Sequence, residues 1–204
     1  MGQGPHDLEK KWQKIVWSDE KKFNLDGPDG FNYYWHDIRK EKIFSKRRAM
    51  GGGGVMIWGA FGYFGKNSIG FITTKLNAEG YRNLLNSHLN DISQKFGNTN
   101  FIFQQDNAPI HRAKSNISWF TSKKIKLLEW PALSPDLNPI ENVWGILARR
   151  VYAEGKQYSN VDELKKAIVH VWENISLADL RKHSESMPNR IFEVIQNGGK
   201  KTKY

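Results

Sequence analysis

The segment from Phe101 to Tyr152 restricts the possible fold more than any other, because it holds two acidic residues that only a chain reversal can bring together. Asp106 closes the apolar run FIFQQD, and Glu141 lies near the start of a helix that Pro139 opens. Between them are positions 107 to 140, 34 residues patterned as a helix followed by a strand, which would fold the chain back on itself. A third carboxylate, Asp19, sits far upstream on another strand-like run. Three carboxylates offer hard oxygen ligands, and the expectation is that they hold divalent metal ions against a nucleic acid.

Composition fits that expectation. The 204 residues carry 31 Lys and Arg against 21 Asp and Glu, a net charge of +10 that favours a polyanionic partner. With 39% hydrophobic and 13% aromatic residues the chain can bury a full core, and its length favours one domain over 1–204. The absence of cysteine excludes disulfides and thiolate metal sites and suits a reducing intracellular setting. No run approaches the roughly 18 apolar residues of a membrane span, so no membrane role is expected.

Along the chain, residues 15 to 25 alternate so that Ile15, Trp17, Asp19, Lys21, Phe23 and Leu25 share one side of a strand, with Glu20 on the other. A carboxylate among apolar neighbours needs a partner or a metal, which favours Asp19 over Glu20; a strand edge already in solvent is the competing reading. DGPDG at 26–30 reads as a turn leading to a paired strand, FNYYW. Between Asp37 and Arg48 lie six basic and two acidic residues, Arg39, Lys40, Lys42, Lys46, Arg47 and Arg48 being the basic ones, and Gly51 to Gly54 follow. This segment, 37–54, is expected to be an extended loop lying along phosphates, although a solvated charged loop has the same composition. No Gly-Lys-Ser/Thr follows the glycines, so a nucleoside triphosphate loop is excluded.

VMIWGAF at 55–61 and IGFITT at 69–74 read as paired strands, and a helix capped by Asn77 runs to Gly97, with His88 on its apolar stripe. FIFQQD is the next strand, Ala113, Ile117 and Phe120 mark a short helix, and IKLLEW at 125–130 is a further strand. Asp106, at a strand end, has access to a crevice, with a turn or helix cap as its alternative role. His111, five residues on, could reach the same site and contact DNA, or be a surface histidine at a helix start. Asn138, Pro139 and Glu141 have the spacing of a capped helix start, so a capping role competes with a catalytic one for Glu141, and Asp136 is the reserve candidate. Ile140, Val143, Trp144, Leu147 and Val151 make that helix's buried stripe. Residues 160–204 read as C-terminal helices, the first capped by Asn160, followed by a basic tail, GGKKTKY, expected to be frayed.

The motifs DNAPIH, SPDLNPIENVWG and WSDEKKFNLDGPDG resemble the catalytic region of cut-and-paste DNA transposases of the mariner superfamily, Tc-type branch, over about Trp12 to Tyr204. The resemblance implies an α/β, ribonuclease-H-like fold, a mixed β-sheet flanked by helices, with 37–54 as a basic clamp-type loop insertion. It implies a catalytic metal-binding triad of Asp19, Asp106 and Glu141 holding Mg²⁺, with Mn²⁺ able to substitute, as two ions roughly 4 Å apart. The implied activity is cleavage of transposon ends and joining of the freed 3′-hydroxyl to target DNA at TA, by a homodimer in the DNA complex, in the nucleus. Such transposases carry helix-turn-helix units ahead of the catalytic region, and there is no room for them before Asp19, so an N-terminal recognition region is expected to be absent. A host-retained, catalytically inactive DNA-binding or assembly protein is the alternative function.

Overall fold

The computed structural model describes residues 11–28, 53–73, 75–96, 101–132 and 134–204. The expected basic loop, with Arg39, Lys40, Lys42, Lys46, Arg47 and Arg48, lies outside the described residues apart from Gly53 and Gly54, as does the FNYYW strand.

The first strand, β1 (Ile15–Asn24), pairs antiparallel with β2 (Gly54–Gly62), placing Asp19 opposite Gly59 and Trp17 opposite Phe61. Beyond a tight turn at Tyr63 and Phe64, β3 (Gly65–Lys66) folds back on the end of β2, and β4 (Gly70–Ile72) pairs with its first half. On the other side of β1, β5 (Ile102–Gln104) and then β6 (Lys126–Leu127) run parallel to it. The described residues thus form a mixed six-stranded sheet in the order β3-β2-β1-β5-β6 with β4 beside β2. The 125–130 strand is shorter than its apolar pattern suggested, because only Lys126 and Leu127 find partners on β5.

Both faces of the sheet are covered. Ile15, Trp17 and Phe23 of β1, Leu25 just after it, and Val55, Ile57 and Phe61 of β2 pack under α3 (Ile140–Val151), α4 (Val161–Glu173) and α5 (Leu177–Glu185). On the opposite face Val16, Trp58 and Ala60 meet Tyr81, Leu85, Leu89 and Ile92 of α1 (Ala78–Lys95) and Phe120 of α2 (Lys114–Ser122). Each such side chain contributes roughly 1.5–3 kcal/mol by leaving water. The α1 helix begins where Asn77 Oδ1 accepts from Gly80 N–H at 2.8 Å, and α4 where Asn160 Oδ1 accepts from Glu163 N–H at 2.9 Å. The α3 stripe is buried as its period requires. In α2 the buried positions are Asn116 and Phe120, while Ile117 is exposed. No helix among the described residues is long and apolar enough to cross a membrane.

The last helix, α6 (Met187–Gln196), ends at Asn197, with Gly198 and Gly199 at positive φ. The tail is not frayed, contrary to its polar composition. Thr202 is buried and its N–H donates to Asp136 Oδ2 at 2.8 Å, while Lys203 pairs with Glu193 at 2.5 Å. Two acidic side chains that composition cannot reveal as neighbours hold it down.

Candidate active site

The parallel pairing of β1 with β5 sets Trp17 beside Gln104. Two residues further along each chain come Asp19 and Asp106, so the register alone sets the two carboxylates level at the same end of the sheet. Glu141 arrives from the first turn of α3, which lies across β1. All three line one cleft of about 380 Å³, together with Gln104, Asn107, Trp130 and Asn138. Among the described residues, no lysine or arginine lines it. Among the described residues no three histidine or acidic side chains stand close enough together to hold a metal ion as placed.

Asp19 emerges from β1 where the strand passes from fully buried to half-buried. Its Oδ2 accepts a hydrogen bond from Trp144 Nε1 at 3.2 Å. Burial pushes its carboxyl up to about 7, helped by the negative charges of Glu20 and Glu141. Beside two other acids, and with only neutral donors in the Trp144 indole and the Glu20 backbone N–H, it has no countercharge among the described residues.

Asp106 is the opposite case: its side chain is 56% exposed, and a hydrogen bond from His111 Nδ1 to Oδ1 at 2.5 Å holds its carboxyl below the usual range. Ala108 N–H donates to the same oxygen at 2.9 Å. Asp106 Oδ1 therefore caps the following turn, and Oδ2 has no hydrogen bond among the described residues. Of the two readings of Asp106, the turn cap is what its Oδ1 does here.

His111, weighed above as a DNA contact or a surface histidine, is 3% exposed. Its ring packs on Tyr81 at 4.3 Å, and its Nε2 lies 3.4 Å from Glu20 Oε1. Those two atoms are poorly aligned and have no hydrogen-bond partner, so the contact is one of charge rather than a formed hydrogen bond. Burial lowers the imidazole pKa, but the two carboxylates outweigh it and push it up to about 9. This burial leaves the ring no surface for a phosphate. Glu20, set aside because it faces away from Asp19, is the residue that spacing missed. It reaches the site through His111 from the other face of β1, and its parity with Ser18 and Lys22 gives no hint of that.

The capping alternative for Glu141 does not hold. Asn138 N–H donates to Pro135 O, Asn138 Oδ1 accepts from Ile140 N–H at 3.4 Å, and the Glu141 carboxylate takes no hydrogen bond among the described residues. Asn138 Nδ2 instead donates to Ser18 O at 3.3 Å, tying the start of α3 to the residue before Asp19. Asp136, the reserve candidate, is turned to the tail.

A mixed sheet with one acid in the middle of β1, a second just past the end of the parallel β5 and a third on the covering helix defines a class of nucleic-acid-cutting domains. The chain belongs to the DDE superfamily endonuclease family, whose description matches residues 14–165. Within it, the chain is 48% identical over 199 residues to the Tc3 transposase of Caenorhabditis elegans, covering 98% of this chain and 60% of that protein. It is 35% identical over 198 residues to the Tc1 transposase of the same organism, covering 96% of this chain and 72% of the relative. Among solved structures, the Mos1 pre-cleavage transpososome superposes with a TM-score of 0.80 at 18% identity over 97% of this chain and 59% of that one. The catalytic domain of Mos1 mariner transposase gives 0.72 at 17% identity over 100% of this chain and 98% of its own. These likenesses establish the fold as that of the Mos1 catalytic domain, the ribonuclease-H-like arrangement the motifs implied. The chain spans about 60% of the length of the Tc3 transposase.

Proposed function

We propose that this chain is the metal-dependent DNA-cleaving and strand-joining domain of a cut-and-paste transposase. The observation that carries this reading is a cleft lined by Asp19, Asp106 and Glu141 with no cationic side chain among the described residues, in which burial raises the Asp19 carboxyl to about 7. An all-oxygen set of this kind fits Mg²⁺ or Mn²⁺. Paired-end complexes of the Mos1 mariner transposase have been solved with Mn and with Mg. Asp19, Asp106 and Glu141 would hold the metal, two ions being expected; when bound, they would activate the attacking oxygen and stabilise the leaving one.

The chain's own residues supply the orientation. Trp144 fixes one oxygen of Asp19, while His111 and the Ala108 N–H fix Oδ1 of Asp106, so that Oδ2 would be the oxygen to meet a cation. Glu20 holds His111 from behind. His111 is thereby a brace for Asp106 instead of a DNA contact. DNA binding is assigned to Arg39, Lys40, Lys42, Lys46, Arg47 and Arg48, whose charge excess suits phosphates. The substrates proposed are transposon ends and a TA target, acted on in the nucleus by two copies of the chain. The solved Mos1 paired-end complex with a left transposon end supports that assembly.

The test is nicking and strand transfer on pre-cut transposon-end DNA with Mg²⁺ or Mn²⁺. Asp106→Ala is expected to lower the rate about a thousandfold or more, the scale of several kcal/mol of lost charge stabilisation. If wild type and Asp106→Ala are equally inert while both bind DNA at matched low salt, a binding-only assembly role replaces this reading. Preferential cutting of an RNA–DNA hybrid would replace it with a ribonuclease H.

A further inference from the structure

Arg190, on α6, is 1% exposed, and its three hydrogen bonds among the described residues all go to neutral oxygens. Nε donates to Ser186 Oγ at 2.9 Å, Nη1 to the Asp136 carbonyl at 2.7 Å and Nη2 to Asn142 Oδ1 at 2.5 Å. The Tyr204 ring lies 4.4 Å from the guanidinium, closing it from solvent. A buried cation with no salt bridge among the described residues is costly, its nearest charges being Tyr204, Asp136 and Glu193, and an apolar side chain would fill the space at lower free energy. What an apolar side chain could not do is join two points of the chain by a rigid planar fork.

Those two points straddle Glu141. Asp136 belongs to the 3-10 turn Pro135–Leu137 that leads into α3, and Asn142 directly follows Glu141. The start of α3 gains from such a hold, because Pro139 at its N-cap provides no side-chain cap and the Asn138 Oδ1 contact to the Ile140 N–H is long, 3.4 Å. Asn138 ties it to β1 beside Asp19 on one side, and Arg190 ties it to α6 on the other.

We propose that Arg190 is a positioning residue for Glu141: its guanidinium, anchored on α6, fixes the first turn of α3 so that the third carboxylate stands in the cleft with Asp19 and Asp106. This inference rests on the reading of those carboxylates as the metal site. The function added is orientation, at a distance from the cleft, by a residue that contacts neither metal nor DNA.

The test is Mn²⁺ binding to the intact chain, followed by the paramagnetic resonance of free Mn²⁺, for wild type, Arg190→Met, Arg190→Lys, Asn142→Ala and Glu141→Ala. Thermal unfolding confirms that each variant is folded. Arg190→Met and Asn142→Ala are expected to weaken Mn²⁺ binding about tenfold or more, as loss of a supporting partner does at metal sites. Arg190→Lys, which keeps the charge and loses the fork, should fall between. In the cleavage assay kcat should drop while KM for DNA stays at the wild-type value, a split that general destabilisation does not produce. If Arg190→Met does not fold, Asn142→Ala decides. Folded Asn142→Ala binding Mn²⁺ within about twofold of wild type, where a supporting partner should cost tenfold, overturns the inference. Glu141→Ala separates the two levels. If it weakens Mn²⁺ binding and Asn142→Ala does not, only the role of Arg190 fails; if Glu141→Ala is also without effect, the metal-site reading itself fails.

Discussion

Gly59→Ala is a one-carbon change expected to disturb both the core and the site. Gly59 faces Asp19 across the antiparallel β1–β2 pair, and a Cβ placed on it would lie 2.7 Å from Trp144 Cη2, 3.3 Å from Trp172 Cη2 and 3.4 Å from Ile69 Cδ1. Neither indole can yield freely. Trp144 is tethered through Nε1 to Asp19, Trp172 donates from Nε1 to the Asn67 carbonyl at 2.7 Å, and the two rings pack on each other at 5.4 Å. Relief therefore requires a shift of Trp144 that loosens its hold on Asp19. Overpacking of this kind costs about 2 kcal/mol. For a chain of this length that lowers the thermal midpoint by about 4–8 °C. Circular dichroism melting measures it, and Trp144→Phe supplies the control. If the clash with Trp144 is the cause, the cost of Gly59→Ala should shrink by about 1 kcal/mol in the Trp144→Phe background. A Gly59→Ala protein melting within about 1 °C of wild type would refute the reasoning, since overpacking at that separation must register in the midpoint.

Two predictions concern charge in the metal-free protein. Asp19, raised by burial and then by Glu20 and Glu141 to about 7, removes stability as pH climbs from 3.8 through 7. Asp19→Asn should therefore melt above wild type at about pH 8 and lose that advantage towards about pH 4, while abolishing metal-supported cleavage. A wild-type melting curve that stays flat across that window would show that Asp19 carries no such penalty. His111, raised above 6.5 to about 9 by Asp106 and Glu20 against the effect of burial, contributes stability that is complete below 6.5 and lost as pH rises through 9. Melting of wild type should fall between about pH 7 and pH 10, and His111→Gln should remove most of that fall; equal slopes in the two proteins would contradict the brace.

Much of this architecture was legible in the residues, for reasons that can be located. The alternation of β1 separated Asp19 from Glu20 because a two-residue period leaves no freedom in which side faces the α3 layer. The stripe of α3 emerged whole because five apolar residues at three- and four-residue steps admit one buried face. Where the pattern was thin, it misled. On α2, Ile117 is exposed and Asn116 buried, since Asn116 Nδ2 satisfies the Ile110 carbonyl and its Oδ1 takes Arg82. His111 offered no sequence sign of burial, because its two carboxylate neighbours come from different strands. The tail read as frayed for the same reason: a basic segment is held by Asp136 and Glu193, and no local pattern records a long-range pairing. Glu141 needed the structure to be separated from a cap, because capping and ligation ask for the same residue at the same helical position.

The tryptophans around the cleft carry a consequence of another kind. Trp130 lines the cleft, its ring meets Trp17 edge-on at 5.6 Å, Trp17 stacks on Trp12 at 6.1 Å, and Trp144 bonds Asp19 directly. Light absorbed by any of these indoles can pass to its neighbours, and one of them is in contact with the carboxylate whose charge a cation would change. Emission from the unlabelled chain therefore reports occupancy of the cleft, and titrating Mg²⁺ against intrinsic fluorescence would read the site optically, without DNA.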